Sequence, residues 1–253
     1  MPTALVINPN TSEKMSDGIR AIAAQVFESP WEFRVVNAPA GPESLESWRD
    51  YQLAGAAILP LLKEHNDVDG VVLACFGDPG LYALKEISPV PVVGIAEAAI
   101  TLALLLGGKF GILAAMKRAT GLMDAMVRMY GLEARYAGTA PLDIRVLDLE
   151  GDHQGTLAAL ERVSLALITR GADVLLLGCA GLTGFTCELM QRVPMTIIDP
   201  VEAGCRMLKT VVEMTLNTSH IGLFSQPAAQ RMHGLPRAFS PEMAAYLKTW
   251  ESE

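Results

Sequence analysis

The chain has 253 residues, of which 51% are hydrophobic and 19% charged, with a formal net charge of −8. This composition predicts a globular protein of one large or two modest domains. The acidic balance argues against nucleic-acid binding, because no basic stripe is available to contact phosphates. The longest nearly uncharged apolar stretch, residues 98–106, is too short to cross a membrane. The N-terminus lacks the basic segment of a signal peptide, and we therefore expect a cytoplasmic location.

Strands and helices alternate along the first half, which predicts a parallel sheet covered by helices. The apolar runs and turn signals indicate strands at 3–8, 32–37 and 91–95, a strand that ends at Cys75, and helices at 12–27, 45–66, from 79 onward and 97–106. Glu13 follows Asn10 by three residues, which is the spacing of a capping box at the start of the first helix.

The same order recurs after Gly107-Gly108. We expect a strand at 109–114, a helix at 117–130, strand and loop at 132–152, a helix at 154–171, a strand ending at Cys179, a helix from 182, a strand to 198, and helices at 201–216 and 241–250. The fold class predicted is α/β, with a first domain at 1–106 plus 207–253 and a second at 107–206.

Two cysteines occupy matched positions of this repeat. Cys75 and Cys179 each end an apolar run and are 104 residues apart, while Pro91 and Pro194 are 103 apart. A repeat of about a hundred residues indicates two similar domains and not a solenoid. Both thiols would lie at the C-terminal end of a buried parallel strand, where open α/β sheets carry their chemistry.

A matched pair of thiols suits a reaction that needs one acid and one base of the same kind, as a racemase does. A helix is expected to begin shortly after each cysteine, and its N-terminus would lower the thiol pKa. The alternative is that both are buried structural cysteines, a common fate of this residue. Their matched positions favour the catalytic interpretation.

Other candidates adjoin the cysteines and the first strand. Phe76-Gly77 and Ala180-Gly181 contain small residues through which a ligand can approach the backbone, whose N–H groups could hold a carbonyl or enolate oxygen. Asn8 ends the first strand and would point at the ligand crevice.

Four acidic residues near helix starts are interpreted mainly as structural. Asp78-Pro79 and Asp199-Pro200 have the sequence of an N-cap followed by proline at the first helical position. Glu97 and Glu202 would lie in first helical turns, where acidic residues are favourable.

Cofactor and metal motifs are not found. The four histidines show no ligand spacing to one another or to a cysteine, and no glycine-rich dinucleotide or phosphate loop follows a strand. The cysteines include no CxxC pair, so free thiols are expected.

The motifs resemble those of the hydantoin and allantoin racemases of the aspartate/glutamate racemase superfamily, over about residues 4–212. They are Ile7-Asn8-Pro9-Asn10-Thr11, Ala74-Cys75-Phe76-Gly77-Asp78-Pro79-Gly80-Leu81, Gly94-Ile95-Ala96-Glu97-Ala98 and Gly178-Cys179-Ala180-Gly181-Leu182. The resemblance implies two flavodoxin-like domains related by a pseudo-twofold axis, with a cofactor-free site in the cleft between them. It implies that Cys75 and Cys179 are the catalytic pair, that the substrate is a small molecule and that the protein self-associates. The implied substrate contacts are Asn8, Phe76, Gly77, Ala180 and Gly181.

One departure bears on the substrate. Many relatives have hydroxyl residues where this chain has Ala114-Ala115. The loss of these hydrogen-bonding groups weakens the case for allantoin and makes a hydantoin with an apolar substituent, or a different small acid derivative, plausible. The hypothesis is racemisation at C5 of a hydantoin-like ring. The alternatives are an arylmalonate-type decarboxylase, a maleate-type cis–trans isomerase, or a non-catalytic small-molecule binding protein.

Overall fold

Two four-stranded parallel sheets follow one another in the computed structural model, which describes residues 1–149 and 151–228 together with Pro241 and Ala245. The first sheet has the order β2-β1-β3-β4 and contains β1 (Thr3–Asn8), β2 (Glu32–Asn37), β3 (Gly70–Leu73) and β4 (Val92–Gly94). The second has the order β6-β5-β7-β8 and contains β5 (Phe110–Ala114), β6 (Tyr136–Pro141), β7 (Val174–Leu177) and β8 (Thr196–Ile198). The matching orders confirm the predicted fold of two similar α/β halves.

Helices connect the strands, as parallel pairing requires. The first half contains α1 (Glu13–Val26), α2 (Trp48–Ile58), α3 (Leu61–Glu64), α4 (Leu81–Ile87) and α5 (Ile95–Leu106). The second contains α6 (Lys117–Met129), α7 (His153–Ile168), α8 (Thr186–Arg192) and α9 (Pro200–Glu213). No helix among these described residues is long and apolar enough to cross a membrane.

Three of the helices differ from the prediction, one by being divided and two by beginning later. The single helix predicted at 45–66 is divided into α2 and α3 by Pro60, which has no N–H for the helical ladder. The helix predicted from 79 begins at Leu81, because Gly80 has a left-handed φ of 81°. The helix predicted from 182 begins at Thr186, after a short 3₁₀ turn. The helix predicted at 241–250 lies outside the described residues except for Pro241 and Ala245.

The predicted capping box at Asn10 and Glu13 is wrong. Ser12 is the N-cap of α1, and its hydroxyl accepts a hydrogen bond from the Met15 N–H at 3.3 Å. The Asn10 side chain instead accepts from the Ser12 N–H at 2.9 Å, and it thereby shapes the loop that leads into the helix.

The helix α9 packs on the first sheet. Leu208 lies against Gly70 of β3, and Gly204 lies against Ile95 and Val72. The helix α9 runs without a break through the predicted domain limit at 206/207. This limit and the one at 106/107 stay predictions.

Candidate active site

The two cysteines occupy the same position in the two sheets. The Ala74 N–H donates to the Ile7 carbonyl of β1 at 2.8 Å, and the Gly178 N–H donates to the Leu113 carbonyl of β5 at 2.8 Å. Cys75 and Cys179 are thus each one residue beyond the last of these inter-strand bonds. This is the edge at which open parallel sheets bind ligands.

One pocket brings both cysteines together. It has about 520 Å³ of open space including its mouth. Apolar side chains form most of its wall, and the polar exceptions besides the thiols are Asn10, Glu46 and Tyr51. The residues that line it are Asn10, Met15, Leu45, Glu46, Tyr51, Ala74, Cys75, Phe76, Ala115, Met116, Ala119, Met123, Val146, Gly178, Cys179 and Ala180.

The expectation that helix N-termini lower the thiol pKa values is wrong for this structure. Burial, then the charge of Cys179 and that of Asp78, holds the pKa of Cys75 well above its ordinary value. Burial raises the pKa of Cys179 to about 11, although the Gly181 N–H donates to its Sγ at 3.4 Å and opposes this change. The helix after Cys75 begins too late in the chain to contribute, since Leu81 is its first residue.

Asp78 stabilises a different helix from the one predicted. Its carboxylate accepts from the Ala96 N–H at 3.1 Å and the Glu97 N–H at 2.9 Å, so it caps α5 and not α4. The Tyr130 hydroxyl, from the second half, donates to the same carboxylate at 3.1 Å. Burial, followed by repulsion from Glu97, raises the pKa of Asp78 to about 7.

Asp199 has the capping role predicted for it. Its carboxylate accepts from the Val201 N–H at 2.9 Å and the Glu202 N–H at 3.2 Å at the start of α9. It also accepts from the Thr183 hydroxyl at 2.8 Å and the Gly184 N–H at 3.1 Å. Burial raises its pKa, and these four donors oppose that change.

At the end of the first strand, Asn10 lines the pocket, whereas Asn8, the residue predicted to do so, does not. Asn8 is fully buried, does not line the pocket, and donates from Nδ2 to the Asn10 side chain and the Ser16 hydroxyl, both at 2.9 Å. Asn10 does line the pocket, and its Nδ2 donates to the Met15 sulfur at 3.1 Å. Because a thioether is a weak acceptor, the Asn10 amide could also donate to a ligand.

The other predicted contacts are distributed around the pocket. Phe76 and Ala180 line it, whereas Gly181 lines a smaller neighbouring depression. Gly77 stands behind the wall with a φ of 145°, and a Cβ there would collide with the Tyr51 hydroxyl. Glu97 accepts from the Gly94 N–H at 3.1 Å and pairs with Lys85 at 2.7 Å, so it supports the helix start as interpreted from the sequence.

Sequence reasoning missed two polar residues of the pocket. Tyr51 is buried on α2, and its hydroxyl donates to the Phe76 carbonyl at 3.4 Å. Glu46 precedes the N-cap of the same helix and contributes a carboxylate to the lining. Neither is among the residues that match between the two halves of the sequence, so only a tertiary contact could reveal them.

Metal ligation is not indicated at this site. Within the described ranges, no group of three or more His, Cys, Asp or Glu is placed to hold a metal ion. The four cysteines are free thiols, as expected, with Cys75 and Cys179 partly exposed, Cys187 exposed and Cys205 buried.

Known proteins share both the sequence pattern and this geometry. The sequence profile of the Asp/Glu/Hydantoin racemase family matches residues 5–208. The chain belongs to that family. A hydantoin racemase of Pseudomonas sp. (strain NS671) is 32% identical over 232 residues, which are 90% of this chain and 93% of that protein. A hydantoin racemase of Paenarthrobacter aurescens is also 32% identical, over 90% of this chain and 98% of its own length.

Solved structures of family members superpose along nearly the whole chain. The allantoin racemase of Klebsiella pneumoniae has a TM-score of 0.87 and 32% identity, and the match covers 95% of this chain and all of that one. The allantoin racemase of Pseudomonas fluorescens has the same TM-score at 29% identity, over 92% of this chain and all of its own. Membership of this family makes the protein an isomerase of the racemase type.

Proposed function

We propose that this family member racemises 5-substituted hydantoins, with Cys75 and Cys179 as the acid–base pair. The observation that carries the proposal is that the two halves, at equivalent strand ends, place one thiol each in a single pocket. The curated relatives named hydantoin racemases support the substrate class. Self-association and a cytoplasmic location stay predictions.

The pocket wall favours an apolar substituent at C5. Ala115, Met116, Ala119 and Met123, from the end of β5 and from α6, line the pocket together with Val146. None of these side chains can hydrogen-bond strongly to a polar group such as the ureido tail of allantoin. Transfer of an alkyl or aryl group into such a site is favourable by about 25 cal/mol per Å² of apolar area buried.

The mechanism removes a proton from one face of the ring and adds a different proton to the opposite face. One cysteine, as thiolate, removes the C5 proton, and the electron pair of the C–H bond moves onto the adjacent carbonyl to give an enolate. The other cysteine, as thiol, then donates its proton to the opposite face of C5, while the carbonyl forms again. Each thiol changes its protonation state once per turnover, so the opposite enantiomer uses the pair in the opposite roles.

The Phe76 N–H and the Asn10 amide are candidate donors to the enolate oxygen. No described residue accepts a hydrogen bond from the Phe76 N–H, directly after Cys75, and Phe76 and Asn10 both line the pocket. Donors that face a developing oxyanion are worth about 3 kcal/mol each in enzymes. These groups could therefore lower the barrier to proton removal.

The test follows single enantiomers of 5-benzylhydantoin, 5-isopropylhydantoin and allantoin in D₂O by polarimetry and proton NMR. We expect rotation to decay while deuterium replaces the C5 proton, faster for the two apolar hydantoins than for allantoin. If rotation and the C5 proton of all three compounds persist at the uncatalysed rate, the proposed function is wrong. If allantoin is the fastest, the racemase proposal stands and the apolar preference is wrong.

A further inference from the structure

The pocket has one charged side chain, and it is negative. Among the described lining residues, Glu46 is the only ionisable group besides the thiols and Tyr51, and no Lys, Arg or His is among them. Lys14 lines the neighbouring depression beside Gly181 and not this pocket. A site for a carboxylate substrate would be expected to offer a cation or an arginine fork, and this one offers the opposite charge.

Glu46 is fixed at the start of α2. Its backbone N–H donates to a carboxylate oxygen of Asp50 at 3.2 Å, and Asp50 is itself buried and held by the Ser47 cap. The Ser44 hydroxyl donates to Oε1 of Glu46 at 2.8 Å. No other described residue donates to this carboxylate, so it can accept a further hydrogen bond.

Glu46 and Cys179 line the same pocket. After burial, the charge of Glu46 is the main influence that raises the pKa of Cys179. A carboxylate in this pocket would repel the enolate oxygen, so the ring must present a donor to it. In a hydantoin, C5 has the carbonyl carbon on one side and N1–H on the other. With the carbonyl oxygen at a hydrogen-bond donor of the pocket, N1–H is the ring donor beside C5, and Glu46 is the carboxylate acceptor in the lining that suits it.

We propose that Glu46 accepts a hydrogen bond from the N1–H of the hydantoin ring and thereby makes the site selective for uncharged ureides that carry this N–H. The proposal rests on the proposed function. It assigns Glu46 as a substrate-binding and specificity-determining residue. A neutral ring with N–H donors satisfies the carboxylate, whereas an amino acid or malonate would bring a second anion into a pocket without a lining cation.

The test compares 5-benzylhydantoin with its N1-methyl and N3-methyl derivatives, in the wild type, Glu46→Ala and Glu46→Gln. The exposed Glu43→Ala, in the same loop, is the matched control. For the wild type we expect kcat/KM to fall about 10- to 150-fold on N1-methylation, the worth of a hydrogen bond to a charged group, and to change little on N3-methylation. Glu46→Ala should lose a similar factor with the parent compound and show little further loss with the N1-methyl derivative. Glu46→Gln, which keeps a carbonyl acceptor, should lie between.

Different failures have different meanings. If the wild type does not racemise 5-benzylhydantoin, 5-isopropylhydantoin or allantoin, the proposed function itself is wrong. If it does, and Glu46→Ala keeps the wild-type ratio between parent and N1-methyl substrates, Glu46 does not bind N1–H. If Glu46→Ala leaves the parent rate unchanged and only accelerates the N1-methyl compound, Glu46 is a steric wall, and the hydrogen bond is overturned. Circular dichroism confirms that each variant is folded.

Discussion

Ionisation of one thiol in the pocket changes how readily the other ionises. The charge of Cys179 contributes to the raised pKa of Cys75, and the pKa of Cys179 itself is raised to about 11. Once one thiol ionises, the second is harder to ionise, so between its two ionisations the pair holds one thiolate and one thiol. This is the state that racemisation requires.

The raised thiol pKa values predict an alkaline activity profile. Because both folded-state values are above the ordinary range, the fraction of enzyme with one thiolate increases as the pH rises from 7 towards the first ionisation of the pair. We expect log(kcat/KM) to rise with a slope near 1 between about pH 7 and pH 9. Initial rates with 5-benzylhydantoin, corrected for the uncatalysed reaction at each pH, measure it. A plateau beginning near pH 7 would show that the free enzyme already holds a thiolate.

Replacement of either active-site thiol should remove racemisation. A serine hydroxyl is far more basic once ionised and stays protonated, so Cys75→Ser and Cys179→Ser are each expected to lower kcat by a factor of about 10³ or more. The exposed Cys187 is the control, since Cys187→Ser should leave the rate unchanged. Racemisation in either single variant at a near wild-type rate contradicts the two-thiol mechanism.

The cysteines could be found from the sequence, whereas part of the polar pocket could not. The apolar runs and the repeat placed Cys75 and Cys179 at strand ends because parallel strands are buried on both faces. For Asn8, the pattern identified the correct loop but not which asparagine faces the pocket. Glu46 and Tyr51 reach the pocket from a loop and helix whose path depends on tertiary packing, and no local pattern encodes that path.

Among the elements, strands were easier to predict than helix starts. The apolar runs that predict β1 and β2 reproduce their observed limits. Helix starts depend on single residues with special conformations, such as Gly80, which has a left-handed φ and packs closely on Gly55. The Asp78-Pro79 pattern is the same as a true N-cap pattern, and only the fold shows that Asp78 caps α5 instead.

In each half a carboxylate joins the turn after the cysteine strand to a later helix, α5 or α9. The carboxylate lies in the turn in the first half and at the helix cap in the second. In the first half the turn supplies the carboxylate, Asp78, to the N-terminus of α5. In the second half the cap of α9, Asp199, extends to the turn residues Thr183 and Gly184. Each half therefore has one buried carboxylate at this junction, which holds the turn that follows its cysteine.

Loss of the Asp199 carboxylate should cost more than the loss of an exposed cap. We expect Asp199→Ala to lower the free energy of unfolding by about 2–3 kcal/mol, because the partly buried Thr183–Asp199 bond is lost in addition to the cap. Asp152→Ala removes the exposed cap of α7, whose carboxylate accepts from the Gly155 N–H and from no other described residue, and should cost about 1 kcal/mol or less. Urea unfolding of the two variants measures the difference. Equal losses of unfolding free energy in the two variants would show that the bonds from Asp199 to the turn add no stability.

The Asp78 carboxyl predicts a pH dependence of stability of definite sign. Its folded-state pKa of about 7 is above the unfolded value of about 4, so the folded state binds more protons between these pH values. Its contribution to stability is therefore complete below about pH 4 and is lost as the pH rises to 7, by up to about 1.4 kcal/mol per pH unit. Asp78→Asn removes this titration, so the wild type should lose stability relative to the variant as the pH rises from 4 to 7. A difference independent of pH, measured by urea unfolding, would contradict the raised pKa.

At the scale of the whole molecule, α5 links the two sheets. It follows β4 of the first sheet, packs on α9, and also contacts β5, β7 and β8 of the second. Its buried positions are mostly alanine, which lets the sheets approach from both sides; they are Ile95, Ala96, Ala98, Ala99, Ile100 and Ala103. One hydrophobic cluster includes residues of both sheets, such as Val72 and Leu176. The duplicated fold therefore shares a core.

A shared core predicts that the two halves unfold together. Ile100, 2% exposed within that cluster, can test this, because Ile100→Ala should cost about 2–5 kcal/mol through the lost contacts and the cavity left behind. Tryptophan fluorescence reports largely on the first half through Trp31 and Trp48, whereas far-UV circular dichroism reports on the helices of both halves. In urea the two signals should follow one transition in the wild type, and one transition at lower urea in the variant. Separate midpoints, with only the fluorescence transition displaced by the substitution, would show that α5 belongs to the first half alone and that each half has its own stability.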